Sequence, residues 1–249
     1  MFNQNLQSLA FLRMSKTAVL IHGCHIEATD WKKIIVGNLP NLPGRAARGL
    51  EAAWMFQSKC IIWGTGASEK HGLKEAELIF DEALAHVSEI AQYMNRNQEI
   101  TSAKDLAWFM RSKSILEQCS QTTPQEINNA VGIAQKKDCT IIFQISSPTH
   151  IERCYHEALK WNEQHPNENI LFVPISSAVP YANSTAKDVV IVEPPHRSDR
   201  STLRLERLVK ALLKIRKMSD EQALIVAEAL CKTLELYDIK CDVKDLIVE

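Results

Sequence analysis

Three polar side chains, Ser147, His150 and Arg153, follow the most strongly apolar segment of the chain at intervals of three residues. That segment predicts a buried strand, and open parallel sheets bind their ligands beyond the carboxyl ends of the strands. Unpaired amide groups at the start of a helix favour a bound anion, and a guanidinium group is a fixed fork of donors for phosphate or carboxylate. The spacing therefore predicts an anion-binding group, in which His150 would be the general acid or base of an enzyme.

The start of the following helix bears on the charge of His150. Thr149 and Glu152 form a capping box, which makes His150 the first helical residue. The helix dipole disfavours a protonated imidazole at that end, so we expect His150 to be neutral. In the alternative, structural interpretation, the capping pair only begins the helix and His150 fills space beside it.

A second polar segment follows a weaker strand pattern. Thr123 and Glu126 also match a capping box. Helix capping does not explain Ser120, Asn128 or Asn129, and we expect Ser120 and one of the asparagines to face the same cleft. The sequence leaves open which polar residues of this helix line the pocket: Gln125, Glu126, Asn128 and Asn129.

Two glycines, Gly64 and Gly66, lie between a predicted strand and a predicted helix. Glycines at such a point let the backbone approach a ligand closely and leave amide groups for an anion. A simple tight turn would require the same residues. No dinucleotide fingerprint and no P-loop is present, because the pair does not extend to GxGxxG and no GKS or GKT follows.

The cysteine and histidine residues indicate a functional site less clearly. His22, Cys24 and His25 resemble metal ligands, but neighbouring side chains of an extended segment diverge, and we expect no metal site there. Cys154 lies beyond the first turn of its helix, where a buried, inert thiol is expected. The seven cysteines are odd in number and include no CxxC pair, which indicates free thiols in a reducing compartment.

Apolar, β-rich segments alternate with helical patterns along most of the chain, which predicts βαβ units. The predicted strands are Thr17–His22, Cys60–Trp63, Ile115–Cys119, Cys139–Ser146, Asn169–Pro174 and Asp188–Val192. The predicted helices are Arg45–Phe56, Leu73–Val87, Pro124–Lys136 and Ile151–Gln164, and residues 88–113 are helical in composition without clear ends. A long loop is predicted between the first strand and the first helix. The expected fold is α/β, Rossmann-like, with a mostly parallel sheet and helices on both faces.

The last part of the chain differs from the rest. Residues 196–217 are strongly basic and residues 219–249 are mostly acidic, and both carry apolar side chains at helical spacing. We expect a helical hairpin that packs on a domain of residues 1–195. Alternatively, the basic helix binds phosphate or nucleic acid, or docks a protein partner in a non-catalytic module.

The composition of the chain limits the classes of protein to which it can belong. The 249 residues are 45% hydrophobic and 24% charged, which is ordinary for a globular protein. With a net charge of -1, the chain lacks the general basic character of a nucleic-acid-binding protein. No apolar segment approaches the ~18 residues of a membrane span, and the first residues do not form a secretory signal. A cytoplasmic location is expected.

The order of these segments resembles the YdcF-like domain family of bacteria. That family has a strand that ends in a glycine turn before a Glu-bearing helix, then an ExxSxxT motif before a Glu/Asn helix, and then a Ser-x-x-His-x-x-Arg motif after a strand. The matching segments here are residues 61–66 with Glu75, residues 115–123, and residues 142–153. The resemblance extends over residues 16 to 195.

The resemblance implies a polar pocket for a small anionic or nucleotide-like ligand, such as a nucleotide or an S-adenosyl compound. The residues implied in the pocket are Arg45 or Arg48, Gly64, Gly66, Glu75, Glu117, Ser120, Thr123, Glu126, Asn129, Ser147, His150 and Arg153. Glu75 and Glu117 are expected at hydroxyl or ribose groups, and Ser120 and Asn129 at other hydrogen bonds. Because the chain has no dinucleotide fingerprint, a hydrolysis or group transfer is expected rather than a redox step. The family points to no particular cofactor, substrate or oligomeric state.

Overall fold

The computed structural model describes residues 16–28, 30–95, 102–168 and 170–180. The strands in this part of the chain are β1 (Thr17–Ile21), β2 (Gly37–Asn38), β3 (Leu42–Pro43), β4 (Cys60–Gly64), β5 (Glu69–Lys70), β6 (Leu73–Lys74), β7 (Ser114–Glu117), β8 (Ile141–Ser146) and β9 (Leu171–Ser176). The helices are α1 (Trp31–Val36), α2 (Arg45–Met55), α3 (Glu75–Ala85), α4 (Val87–Met94), α5 (Ala103–Lys113), α6 (Thr123–Lys136) and α7 (Ile151–Gln164).

Five strands form one parallel sheet in the order β7-β4-β1-β8-β9. This confirms the predicted α/β fold, with the first four predicted strands as neighbours. From the central strand β1 the chain runs outward through β4 and β7, then crosses back to the other side of β1 for β8 and β9. The strand order therefore reverses between β1 and β8, and in sheets of this topology the crevice at that reversal is the usual ligand site.

Buried apolar segments build the sheet. Every residue of β1, β4 and β8 is buried, as expected of parallel strands that are covered on both faces. One face, which includes Val19 and Phe143, packs against α1 to α5. The opposite face, which includes Leu20 and Ile142, packs against α6 and α7. The two faces alternate along each strand because successive side chains point to opposite sides.

The prediction of a long loop after β1 is wrong, because this segment has secondary structure. It contains the six-residue helix α1 and the two-stranded hairpin of β2 and β3. Such short elements give too little periodicity to be recognised in the sequence. At the start of the hairpin Gly37 has a φ of 97°, and a Cβ there would lie 2.1 Å from the carbonyl oxygen of Leu42. The hairpin therefore depends on glycine at this position.

Two helices begin one residue away from where their capping patterns place them. Thr122, not Thr123, is the N-cap of α6, and its hydroxyl accepts from the backbone N–H of Gln125. The sequence TTPQE contains two overlapping capping patterns, and the first of them is used. His150 is the N-cap residue of α7 rather than its first helical residue. The side chains of Thr123 and Glu126 are consequently directed to other partners.

The remaining differences between the predicted and the observed helices and strands are small. β7 begins one residue earlier than predicted, β9 is displaced by two residues, and residues 88–113 divide into α4 and α5. The predicted strand Asp188–Val192, the hairpin of residues 196–249 and the domain boundary at residue 195 lie outside the described residues. Among the helices that the structure describes, none has the length and apolar character needed to cross a membrane.

Candidate functional site

Buried polar side chains collect at the carboxyl edge of the sheet. These side chains come from the strand ends and from the first turns of the helices that follow: His22, Arg45, Glu75, Glu117, Ser120, Thr123, Glu126, Ser146, Ser147 and Arg153. Three of them are carboxylates and two are guanidinium groups. Because an unpaired charge in a protein interior is strongly disfavoured, each has to be stabilised by its neighbours.

His150 and Arg153 meet at the carboxyl end of β8. Nη1 of Arg153 lies 3.2 Å from Nε2 of His150, and Nη2 donates to the hydroxyl of Thr123 at 2.8 Å. A guanidinium group can only donate, so Nε2 of His150 is the acceptor. The ring proton then sits on Nδ1, which lies 3.0 Å from the hydroxyl oxygen of Ser146. This arrangement assigns His150 a neutral imidazole.

Arg45 joins the ends of β1 and β8. Its side chain is completely buried. Nε donates to the hydroxyl of Ser147 at 3.1 Å, and Nη1 donates to the carbonyl oxygens of His22, at 2.9 Å, and of Gly23. The first residue of α2 therefore fixes the two loops at the reversal of strand order.

Glu126 reaches the end of β1 from α6. Oε2 lies 2.7 Å from Nδ1 of His22, and Oε1 accepts from the backbone N–H of Gly23 at 3.2 Å. Burial disfavours a charged imidazole, but Cys154 and Glu126 outweigh that effect and raise the pKa of His22 to about 10. A Cβ on Gly64 would lie 1.9 Å from Oε1 of Glu126, so this glycine makes room for the carboxylate.

Glu75, the first residue of α3, holds the loop after β1. Oε1 accepts from the backbone N–H groups of Cys24, at 2.5 Å, and His25, at 3.0 Å. Oε2 accepts from the hydroxyl of Ser68. Burial raises the pKa of Glu75, and the charge of Glu126 adds to this rise, whereas the hydrogen bonds oppose it. The two carboxylates thus lie close enough to influence each other.

Glu117 organises the turn after β7. Oε1 accepts from the backbone N–H groups of Cys119 and Ser120, at 2.9 and 3.0 Å, and from Nδ2 of Asn129 at 2.9 Å. Oε2 accepts from the hydroxyl of Ser120. Gly66, which follows β4, packs against this turn, and a Cβ on it would lie 1.9 Å from the carbonyl oxygen of Gln118. The tight packing explains why a glycine stands there.

A groove of about 660 Å³ adjoins this turn between α6 and α7. Its lining includes Ser120 and Asn129 at one side and Trp161 and His165 at the other. The rings of Trp161 and His165 are stacked with centroids 4.2 Å apart, and Nε1 of Trp161 donates to Oδ1 of Asn128 at 3.3 Å. The groove thus combines a flat aromatic wall with hydroxyl and amide groups.

The structure divides the predicted site residues into three sets. One set surrounds the ends of β1 and β8: Arg45, Glu75, Thr123, Glu126, Ser147, His150 and Arg153. A second set, Glu117, Ser120 and Asn129, lies beside the groove. Gly64 and Gly66 approach the protein's own chain closely.

Arg48, the remaining predicted site residue, lies apart from these three sets. It donates to the carboxylate of Glu51 at 2.7 Å and lies 3.3 Å from the hydroxyl oxygen of Tyr93, which connects α2 to α4. Of the two arginines implied by the resemblance, Arg45 is therefore the one at the carboxyl edge.

The sequence patterns did not identify His22 and Ser146 as members of the polar cluster. The pattern of His22, Cys24 and His25 suggests only a metal ligand, whereas the position of His22 directly after the central strand is the signal that places it in the cluster. In the described residues no group of three or more His, Cys, Asp or Glu side chains is suited to a metal ion. Five cysteines are free thiols there, namely Cys24, Cys60, Cys119, Cys139 and Cys154, while Cys231 and Cys241 lie outside the described segments.

Comparison of the chain with known protein families, with curated proteins and with solved structures finds no match.

Proposed function

We propose that the protein binds a small anionic or nucleotide-like ligand at the carboxyl ends of its strands, in the manner expected of a YdcF-like protein. Candidate ligands are nucleotides and S-adenosyl compounds. The observation that carries this proposal is the pair of His150 and Arg153 beside the reversal of strand order, with Arg153 buried and His150 partly exposed.

The side chains around Arg153 favour an anion beside its guanidinium group. Its guanidinium group contacts the neutral ring of His150 and the hydroxyl of Thr123. A phosphate or carboxylate that replaces the imidazole gains a charge-assisted hydrogen bond, which is shorter and stronger than one to a neutral acceptor. The contact with Thr123 holds the side chain in place, so an incoming anion meets an oriented donor.

Ligand binding would also change what His150 can do. When an anion draws Nη1 of Arg153 away, Nε2 of His150 is released and can accept a proton from a nucleophile. Nδ1 keeps its hydrogen bond to Ser146, which fixes the ring and its tautomer. A neutral imidazole held in this way is a suitable general base near neutral pH. The reaction class we propose is therefore hydrolysis or group transfer.

The carboxylates have a positioning role in this proposal. Glu117 already accepts hydrogen bonds from the turn after β7 and from Asn129, so its oxygens are engaged by the protein. Ser120 and Asn129 line the groove and are better placed to contact the hydroxyl groups of a ribose. Glu117 then holds these two side chains in position.

A thermal-shift screen with nucleotides, S-adenosyl compounds and sugar phosphates tests the proposal. A ligand present at 100 times its dissociation constant stabilises the fold by about 2.7 kcal/mol. We expect at least one compound that carries an anionic group to raise the melting temperature, and its uncharged analogue to have no effect. Absence of any shift across the three classes would contradict the proposal.

A further inference from the structure

The groove between α6 and α7 differs in charge from the carboxyl edge of the sheet. Its lining includes one carboxylate, Glu157, and one ammonium group, Lys160, which bind each other at 2.8 Å. Because these two charges compensate each other, they give the groove no preference for an anion. Its volume of about 660 Å³ is within the roughly 300–1,000 Å³ of small-molecule sites. The groove therefore suits an uncharged part of a small ligand.

His165 offers an aromatic surface at the end of α7. Trp161 is buried, and its ring is stacked on that of the half-buried His165 at an interplanar angle of 14°. Nδ1 of His165 donates to the carbonyl oxygen of Trp161 at 2.8 Å, so the imidazole ring is held in place before a ligand binds. Nucleobases stack on flat side chains of this kind, histidine rings included.

Three amide side chains of the lining have orientations that their protein partners determine. Oε1 of Gln125 accepts from a backbone N–H of the preceding turn, and Oδ1 of Asn128 accepts from Nε1 of Trp161. Nδ2 of Asn129 donates to the carboxylate of Glu117. In the described part of the chain, this leaves the NH₂ groups of Gln125 and Asn128 as donors and the carbonyl oxygen of Asn129 as an acceptor.

The edge of a nucleobase carries ring nitrogens and carbonyl oxygens that accept, and amino groups that donate, and carboxamide side chains pair with both kinds of atom. We propose that the groove is the nucleobase subsite of the ligand site, with His165 as the stacking surface and the three amides at the base edge. This inference rests on the proposed function and deepens it, because nucleotides and S-adenosyl compounds contain a base whereas sugar phosphates do not.

The groove is connected to the pair of His150 and Arg153 by the turn that leads into α6. Ser120 lines the groove, and Thr123, three residues later, accepts from Nη2 of Arg153 at 2.8 Å. On α7, Trp161 follows Arg153 by eight residues, which is about 12 Å along the helix axis. The anionic and the uncharged ends of a nucleotide thus have separate contact regions on the same two helices.

Isothermal titration calorimetry of the full-length protein with adenosine 5′-monophosphate (AMP) and with ribose 5-phosphate tests the subsite. The two probes share the phosphate and the ribose and differ only in the base. We expect AMP to bind at least about fivefold more tightly, which is the lower end of what one stacked base contributes. Equal affinities would overturn this inference and leave the proposed anion site standing.

Variants of His165 test whether the base lies in the groove. His165→Ala removes the stacking ring and should abolish most of the preference for AMP, while the affinity for ribose 5-phosphate stays unchanged. His165→Phe keeps a flat ring and should retain the preference. His156→Ala, at an exposed histidine of α7 outside the groove lining, is the matched control and should bind both probes like the wild-type protein.

The remaining outcomes separate this inference from the proposed function. A preference for AMP that persists in His165→Ala would place the base elsewhere, and the inference would be wrong. If neither probe binds, the inference is also wrong, and the thermal-shift screen decides separately whether the proposed function fails with it. If circular dichroism shows that His165→Ala is unfolded, the wild-type comparison of the two probes decides alone.

Discussion

Nδ1 of His22 lies 2.7 Å from Oε2 of Glu126, and both side chains are buried. The contact connects the end of the central strand β1 to the helix that follows β7, across 104 residues of chain. Because an ionised carboxylate stabilises an imidazolium beside it, the pair couples the protonation of His22 to the stability of the whole fold.

Stability should decrease as the pH rises above neutrality. The pKa of His22 is raised from 6.5 to about 10 in the folded protein. A group whose pKa is raised by folding stabilises the folded state fully below the unfolded pKa, and this contribution is lost as the pH rises through the folded value. The window is therefore pH 6.5 to about 10.

Urea unfolding across this window measures the effect, with Glu126→Gln as the matched control. We expect the unfolding free energy of the wild-type protein to fall by at least about 1 kcal/mol more than that of the variant. The variant keeps an acceptor for Nδ1 but removes the charge that favours the imidazolium. Equal pH slopes for the two proteins would contradict this prediction.

Substitution by alanine at Gly64 and at Gly132 should change the stability of the protein in opposite directions. A Cβ on Gly64 would lie 1.9 Å from Oε1 of Glu126, whereas one on Gly132, inside α6, would meet no atom within 4 Å. We expect Gly64→Ala to destabilise the protein by about 1–3 kcal/mol, as overpacking does. Gly132→Ala should stabilise it by up to about 1 kcal/mol, because alanine favours the helix. Chemical denaturation of both variants checks the contrast.

The sheet could be predicted because its strands are nearly continuous apolar segments. β1, β4 and β8 are buried on both faces, and that burial leaves an unmistakable sequence pattern. Arg45 and Glu75 were identified through the resemblance, and the structure places both at the carboxyl edge. α1 could not be found, since its six residues are too few for a periodic signal.

The partners within the site could not be predicted, because they are distant in sequence. Glu126 matched a local capping pattern, yet its carboxylate contacts His22, which is 104 residues away. Thr123 matched the same pattern, yet its hydroxyl accepts from Arg153. Local patterns describe only neighbours along the chain, whereas a parallel sheet brings together the ends of strands from separate βα units.

His150→Ala and Arg153→Ala should weaken ligand binding. Both side chains belong to the proposed anion site, and Arg153 supplies its oriented donor. With the best anionic ligand of the screen at 100 times its wild-type dissociation constant, the ligand-induced stabilisation should drop from about 2.7 kcal/mol to below about 1 kcal/mol. Arg111→Ala, at an exposed arginine of α5, is the matched control and should keep the full shift. Equal shifts in all four proteins would remove both residues from the site.

Substitutions of Thr122 and Thr123 should differ in their effect on ligand binding, because only Thr122 caps α6. The Thr122 hydroxyl accepts from the N–H of Gln125, so Thr122→Ala should cost about 1 kcal/mol of unfolding free energy and leave the ligand-induced shift intact. The Thr123 hydroxyl accepts from Nη2 of Arg153 at 2.8 Å. Thr123→Val preserves shape but removes the hydrogen bond that its hydroxyl accepts from a charged group, which costs about 1.5–3 kcal/mol, and it also releases the guanidinium group from its position. This second variant should therefore lose most of the ligand-induced shift as well. Melting temperatures of both variants with and without the anionic ligand decide the matter, and the reverse pattern would place the helix cap at Thr123.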